Sequence, residues 1–184
     1  MEELIKAVDG AFIEEPLIDE VGFIFHAEND NPESPVVLME RKLGVYANKI
    51  KKVYEYALKH LKLHLLAFNR CPESPDQHAV NGIHSTSRIL LLVQANMPLA
   101  VNARKSIVTY QLRLELSKDM QQNRLENEIR LLNVLLLKTP KSPSLWQHRR
   151  WTLELLLKLY DENVSLSVVN PSLLNASSYS TGGL

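Results

Sequence analysis

Apolar residues recur at helical spacing through most of the chain, and the breaks between the recurring stretches are short and polar. From Val36 to Phe68 there is no proline and one glycine, and Leu38, Val45, Ile50, Val53, Ala57, Leu61 and Leu65 fall mostly three, four or seven apart. That spacing predicts a helix, with a break at Gly44. The preceding stretch, IDEVGFIFHAENDNPESP, alternates poorly and ends in Asn, Pro and Ser, so it reads as an irregular loop. CPESPD at 71–76 reads as a second connector. Further helices are predicted near 83–94, 98–118, 121–137 and 143–160. Strands find no support: β-branched residues are scattered, and Asn81-Gly82 precedes a helical run instead of joining two alternating ones. The predicted class is all-α.

An internal repeat organises the second half. Residues 89–108, ILLLVQANMPLAVNARKSIV, align without gaps on 134–153, VLLLKTPKSPSLWQHRRWTL, at a shift of 45. Leu90, Leu91, Leu92, Pro98 and Arg104 recur as Leu135, Leu136, Leu137, Pro143 and Arg149, and Lys105 recurs as Arg150. The leucines end one helix, a short polar loop turns the chain, and Pro opens the next at the first-turn position, where its missing N–H costs nothing. Ser142 stands where an N-cap belongs. Helix pairs of this kind bury their faces on neighbouring pairs, so the expected architecture is an α-solenoid of antiparallel helix-pair repeats, near 83–118 and 121–160. The helix after Pro143 carries Trp146, Leu153, Leu157 and Tyr160 on one stripe and Leu145, Leu155 and Leu159 on another, the pattern of a sandwiched helix.

Composition narrows the classes. With 184 residues, 45% hydrophobic and 23% charged, the chain can bury one core. It has no apolar run near the roughly 20 residues of a membrane helix. The start, MEELIKAVDGAFIEE, is acidic and lacks the basic head of a secretory signal, and the single thiol, Cys71, excludes an internal disulfide, so a cytoplasmic, soluble protein is expected. Cys71 is read as packing or without a role. The zero net charge hides a division: residues 1–40 carry −10, 41–70 carry +7 and 71–184 carry +3. The basic block lies at helical spacing among Tyr46, Val53, Tyr54, Leu58, Leu61 and Leu65, which reads as one solvated face; with no groove-reading motif beside it, nucleic acid is not an expected partner. Domain organisation therefore reads as an acidic, partly irregular segment 1–35, a helical-repeat domain 36–160 and a Ser/Asn-rich tail 161–184 expected to be disordered.

The run Pro140-Lys141-Ser142-Pro143-Ser144-Leu145-Trp146-Gln147-His148-Arg149-Arg150-Trp151 resembles the signature repeat of protein prenyltransferase alpha subunits, in which a Trp, two residues and Arg-Arg open a repeat's second helix. The earlier copy keeps the Pro and the basic pair, Arg104-Lys105, but has Val101 where the Trp belongs. IDEVGFI (18–24) and SPVVLMERKLGV (34–45) are similar to the N-terminal region of one member of that family, and the similar stretches together cover about 17–158.

The resemblance implies a non-catalytic alpha-type subunit that wraps a beta subunit, the latter attaching an isoprenoid to a C-terminal cysteine. Geranylgeranyl is implied ahead of farnesyl, and a beta subunit of the Rab geranylgeranyltransferase type is the implied partner. No cofactor is expected on this chain, because the family's zinc belongs to the beta subunit. The family also implies a role for Lys141, since a lysine just before this repeat's second helix reaches the isoprenoid diphosphate; the departure is Pro143, where the family often has Tyr. A helical-repeat adaptor with no part in lipid transfer is the alternative.

Spacing alone gives the remaining roles. Trp146, Arg149 and Arg150 stand at i, i+3 and i+4, so the indole is read as repeat-packing core and the arginines as structural or interface groups. His148 faces away from that stripe and has no Cys, Asp or second His at ligand spacing, which leaves no metal site. After Tyr160 no repeat resumes, and two repeats are fewer than a solenoid needs, so the chain is expected to be an incomplete form, marginally stable by itself.

Overall fold

The computed structural model describes residues 1–25, 34–115 and 117–169, with backbone alone for Lys49 and 161–169. Six helices and three strands follow one another as α1 (Glu2–Glu14), β1 (Glu20–Ile24), β2 (Val36–Met39), β3 (Lys42–Tyr46), α2 (Ile50–Arg70), α3 (Gln77–Val93), α4 (Pro98–Leu114), α5 (Lys118–Lys138) and α6 (Pro143–Val169). The helical-repeat fold stands, with an addition that the periodicity did not predict.

That addition corrects the predicted helix at 36–49, while the chain remains mostly helical. Val36–Met39 and Lys42–Tyr46 form a hairpin, and β1 lies parallel to β3 on its other side, giving the order β1-β3-β2. Leu43 and Val45 point into the core beside Val21, while their neighbours face outward, which is the period of two that a half-buried sheet requires. The turn joining β2 and β3 is the two-residue Glu40-Arg41, with Glu40 in the left-handed region at φ 49°. Asn-Gly ordinarily marks such a turn, so Glu-Arg gave no signal.

The acidic start is also ordered. α1 buries Leu4, Ile5, Val8 and Ala11 at i, i+1, i+4 and i+7, and Asp9 on its flank pairs with Arg88 of α3. Asn81-Gly82, expected to precede the helix, lies inside α3, whose start is set by Asp76 accepting from the His78 backbone N–H at 3.1 Å. Gly82 is where the His64 ring of α2 passes close, and a Cβ there would clash with it. Cys71 is exposed, so it packs nothing. The expected tail begins helical, since α6 continues through Val169; residues 170–184 lie outside the described residues.

The second half repeats as the alignment predicts. α3 and α5 end 45 residues apart, at Val93 and Lys138, and α4 and α6 begin 45 apart, at Pro98 and Pro143. Each hairpin therefore has a four-residue turn, which antiparallel helix neighbours favour. The core is continuous from α1 and the sheet into the repeats, through Leu43, Leu61, Ile83, Leu90, Ile107, Leu132 and Leu145.

A shared core predicts one cooperative transition. Leu43→Ala in the sheet and Leu132→Ala in α5 should each cost about 2–5 kcal/mol in denaturant unfolding followed by circular dichroism. Both should shift the same single transition. Gly10 is exposed with nothing within 4 Å of an added Cβ, so Gly10→Ala should stabilise by about 0.5–1 kcal/mol.

Candidate functional site

Two features of the repeats meet at the start of α6: a buried ionic joint between the hairpins, and the turn that carries Lys141. The joint begins with Arg104, which is 1% exposed. Its Nε donates to Glu128 Oε1 at 2.8 Å and one terminal nitrogen to Oε2 at 2.5 Å, a forked pair from α4 to α5. The other terminal nitrogen lies 3.3 Å from both the His84 carbonyl and Ser87 Oγ of α3. One guanidinium thus ties the first hairpin to the second.

His148 of α6 closes the joint on the far side. It is fully buried, and its Nε2 lies 3.3 Å from Glu128 Oε1, off the line of a hydrogen bond. Burial alone would raise the Glu128 carboxyl, but the Arg104 charge and its hydrogen bonds outweigh that and bring it down to about 2. Burial pushes His148 down to about 4 against the attraction of Glu128. His84 is also driven well below the usual histidine value, first by burial and then by Arg104 and Arg88. At neutral pH the joint therefore holds a carboxylate, a guanidinium and neutral imidazoles.

Sequence reading placed Arg104 in the repeat but missed its partner Glu128. A signal existed. Glu128 falls three after Leu125 and four before Leu132, on the buried stripe of α5, as Arg104 falls between Ala100 and Ile107 and His148 between Leu145 and Thr152. A charge on an apolar stripe marks a residue that must have a buried partner.

The turn at 139–142 is held from several sides. The Ser142 hydroxyl is buried, caps α6 by accepting from the Leu145 N–H at 3.4 Å, and donates to the Asn96 side chain in the first hairpin's turn. Trp146 Nε1 donates to the Pro140 carbonyl at 2.8 Å. Lys138 donates to the Leu92 carbonyl at 2.6 Å with its ammonium over the Phe23 ring, and burial lowers it to about 8. Lys141 sits exposed in this braced turn, with no hydrogen bond or ion pair among the described residues. Pro143 is the first residue of α6, as predicted.

The other motif residues separate. Trp146 is 50% exposed, which corrects its reading as packing core. Its stripe, with Leu157 at 60% and Tyr160 at 44%, faces outward. The buried face of α6 is instead Leu145, His148 and Thr152, whose polar members disguised it. Arg149, the repeat equivalent of Arg104, stacks its guanidinium 5.8 Å from the Trp146 ring centroid and donates to Asn133 Oδ1 at 3.0 Å. Arg150 points to solvent and pairs with Glu154 at 2.8 Å. Lys105 lies 5.6 Å from the Trp151 ring centroid, away from the Lys141 turn. Among the described residues, no group of three His, Cys, Asp or Glu is placed to hold a metal ion, and no helix is long and apolar enough to cross a membrane.

Proteins similar in sequence are named for a prenyltransferase alpha subunit repeat. Over 158 residues, 86% of this chain, it is 35% identical to protein prenyltransferase alpha subunit repeat-containing protein 1 of Danio rerio, of which it covers 33%. It is 34% identical over 170 residues to the 1-A protein of Xenopus laevis, covering 92% of this chain and 35% of that one. The Homo sapiens protein is 32% identical over 158 residues, 86% of this chain and 35% of its own length. The chain is a homologue of the protein prenyltransferase alpha subunit repeat-containing proteins. It spans about a third of the length of these relatives. No family model matches it.

Two outcomes follow from the geometry. His148 and His84 bind a proton less readily in the folded chain than in the unfolded one, so stability is full above about pH 6.5 and falls as pH drops toward 4. Each contributes a slope of at most about 1.4 kcal/mol per pH unit. Below about 4.5 the depressed Glu128 adds a further loss toward pH 2. Urea unfolding across pH 7 to 4 should show this decline, and His148→Gln should flatten it. Trp146→Ala should cost about 1–2 kcal/mol, the scale of one hydrogen bond plus a stacked cation, against about 3–5 for a buried Trp. A loss above 3 kcal/mol in the same assay would put the indole back in the core.

Proposed function

We propose that this chain is an alpha-type, non-catalytic subunit of a protein prenyltransferase, which scaffolds a beta subunit and lends it Lys141. The observation that carries the proposal is the braced turn: an exposed lysine with no described partner, held by Ser142, Asn96 and Pro140, in a chain similar to proteins named for the prenyltransferase alpha subunit repeat. A free cation on a fixed turn is pre-positioned for an anion that arrives with another subunit.

The chemistry suits an isoprenyl diphosphate. As the carbon–oxygen bond to the diphosphate breaks and the acceptor thiolate forms its bond to carbon, negative charge accumulates on the departing diphosphate. Lys141 stabilises that charge more than it stabilises the intact substrate, so it lowers the barrier. Activation of the acceptor's C-terminal cysteine is assigned to zinc in the beta subunit. Geranylgeranyl is the isoprenoid, a Rab geranylgeranyltransferase-type subunit the partner, and the cytoplasm the compartment. The outward stripe of Trp146, Leu157 and Tyr160 supplies apolar surface beside the lysine for such a partner.

Pro143 favours a second reading. Where the family often presents a phenol, this turn presents a ring without a hydroxyl, and a chain that has lost one polar group of the site is open to use as a helical-repeat adaptor.

Co-purification with a zinc-loaded beta subunit, followed by transfer of a radiolabelled geranylgeranyl group, separates the two. The subunit reading expects a stable complex whose transfer rate drops about tenfold or more on Lys141→Ala with assembly unchanged. A complex that forms but transfers nothing supports the adaptor. No complex with any beta subunit would overturn the proposal.

A further inference from the structure

On the face of α4 away from the Glu128 joint lies a groove of about 330 Å³, bounded by the end of α2, by α4 and by the start of α6. Its aromatic wall is Phe68, Tyr110 and Trp151, with the first two rings edge to face at 5.8 Å. Lys105 and Arg113 stand along α4, with the hydroxyls of Ser106 and Thr109 between them. No carboxylate lines the groove.

The charge of the groove is uncompensated. Arg88, Arg104, Arg124, Arg130 and Arg150 each have a carboxylate partner: Asp9, Glu128, Glu115, Glu126 and Glu154. Lys105 and Arg113 have none among the described residues, and Lys105 rests against the Trp151 ring. Two uncompensated cations beside three aromatic rings suit a ligand with two anionic groups and a large apolar one between them.

Spacing defines that ligand further. Lys105 and Arg113 are eight residues apart on α4, about 12 Å at the helical rise. An extended peptide covers about that distance in four residues, and its positions i, i+2 and i+4 point the same way. We propose that this groove binds an extended acidic peptide of the pattern acid-x-aromatic-x-acid. The two carboxylates meet Lys105 and Arg113, and the middle ring packs on Phe68, Tyr110 and Trp151. A single-stranded nucleic acid fits less well, because its bases need ring faces to stack on and its backbone a basic track longer than two cations. The site is separate from the Lys141 turn and does not depend on the prenyltransferase reading.

Calorimetric titration of the whole chain with acetyl-Ser-Glu-Ser-Phe-Ser-Glu-Ser-amide tests this. Binding should weaken at least tenfold when both Glu of the peptide become Lys, and should weaken as salt rises. Arg113→Glu alters an exposed residue with no described partner, so folding should be unaffected; it should weaken the acidic peptide at least tenfold and improve the lysine peptide. Absence of binding, equal affinity for the two peptides, an unchanged affinity in Arg113→Glu, or tighter binding of a single-stranded oligonucleotide would each overturn the proposal.

Discussion

The forked pair between Arg104 and Glu128 sets how the two helix hairpins sit on each other. Both groups are almost wholly buried, and each is satisfied only when α4 and α5 hold one register. Desolvating two ions costs several kcal/mol each, and their attraction offsets that cost only at close, forked geometry. A slip of the second hairpin by a turn would leave a guanidinium and a carboxylate buried apart, an outcome dearer than any loss of apolar contact. Specificity of packing, more than net stability, is what such a pair contributes.

Other features of the site depend on that register. The hairpin turns, four residues each, lie side by side because the hairpins are matched, and only then does Ser142 reach Asn96 and Lys138 reach the Leu92 carbonyl. Those contacts brace the Lys141 turn from the first repeat. Arg149, at the equivalent of Arg104, makes a neutral bond to Asn133 and a stack on Trp146. The same arginine position therefore serves burial in one repeat and a surface in the other. The difference lies in what faces it, since Arg104 has α5 and its glutamate within reach.

Much of this was legible in the residues, for identifiable reasons. Pro98 and Pro143 fix helix starts through backbone chemistry, which needs no knowledge of the fold, and the leucine triplets before them mark helix ends. The sheet was missed because Leu38 and Val45 satisfy a helical spacing as well as a strand's, and because its turn is Glu-Arg. Trp146 was misplaced because a helix with apolar residues on two stripes does not say which is buried. His148 and Thr152 on the true inner face looked polar. The ionic joint is a non-local fact: Arg104 and Glu128 are 24 residues apart, and their meeting follows from hairpin packing that no local pattern encodes. Only their position on apolar stripes pointed to it.

The register claim is tested most directly by a double-mutant cycle on Arg104→Met and Glu128→Leu, read by urea unfolding at pH 7. Each single change leaves one buried charge alone and should cost about 3–5 kcal/mol, whereas the double variant removes both and should cost far less than the sum, with a coupling above about 2 kcal/mol. Two single costs that simply add would show that the charges do not depend on each other, and the account of how the hairpins are joined would be wrong.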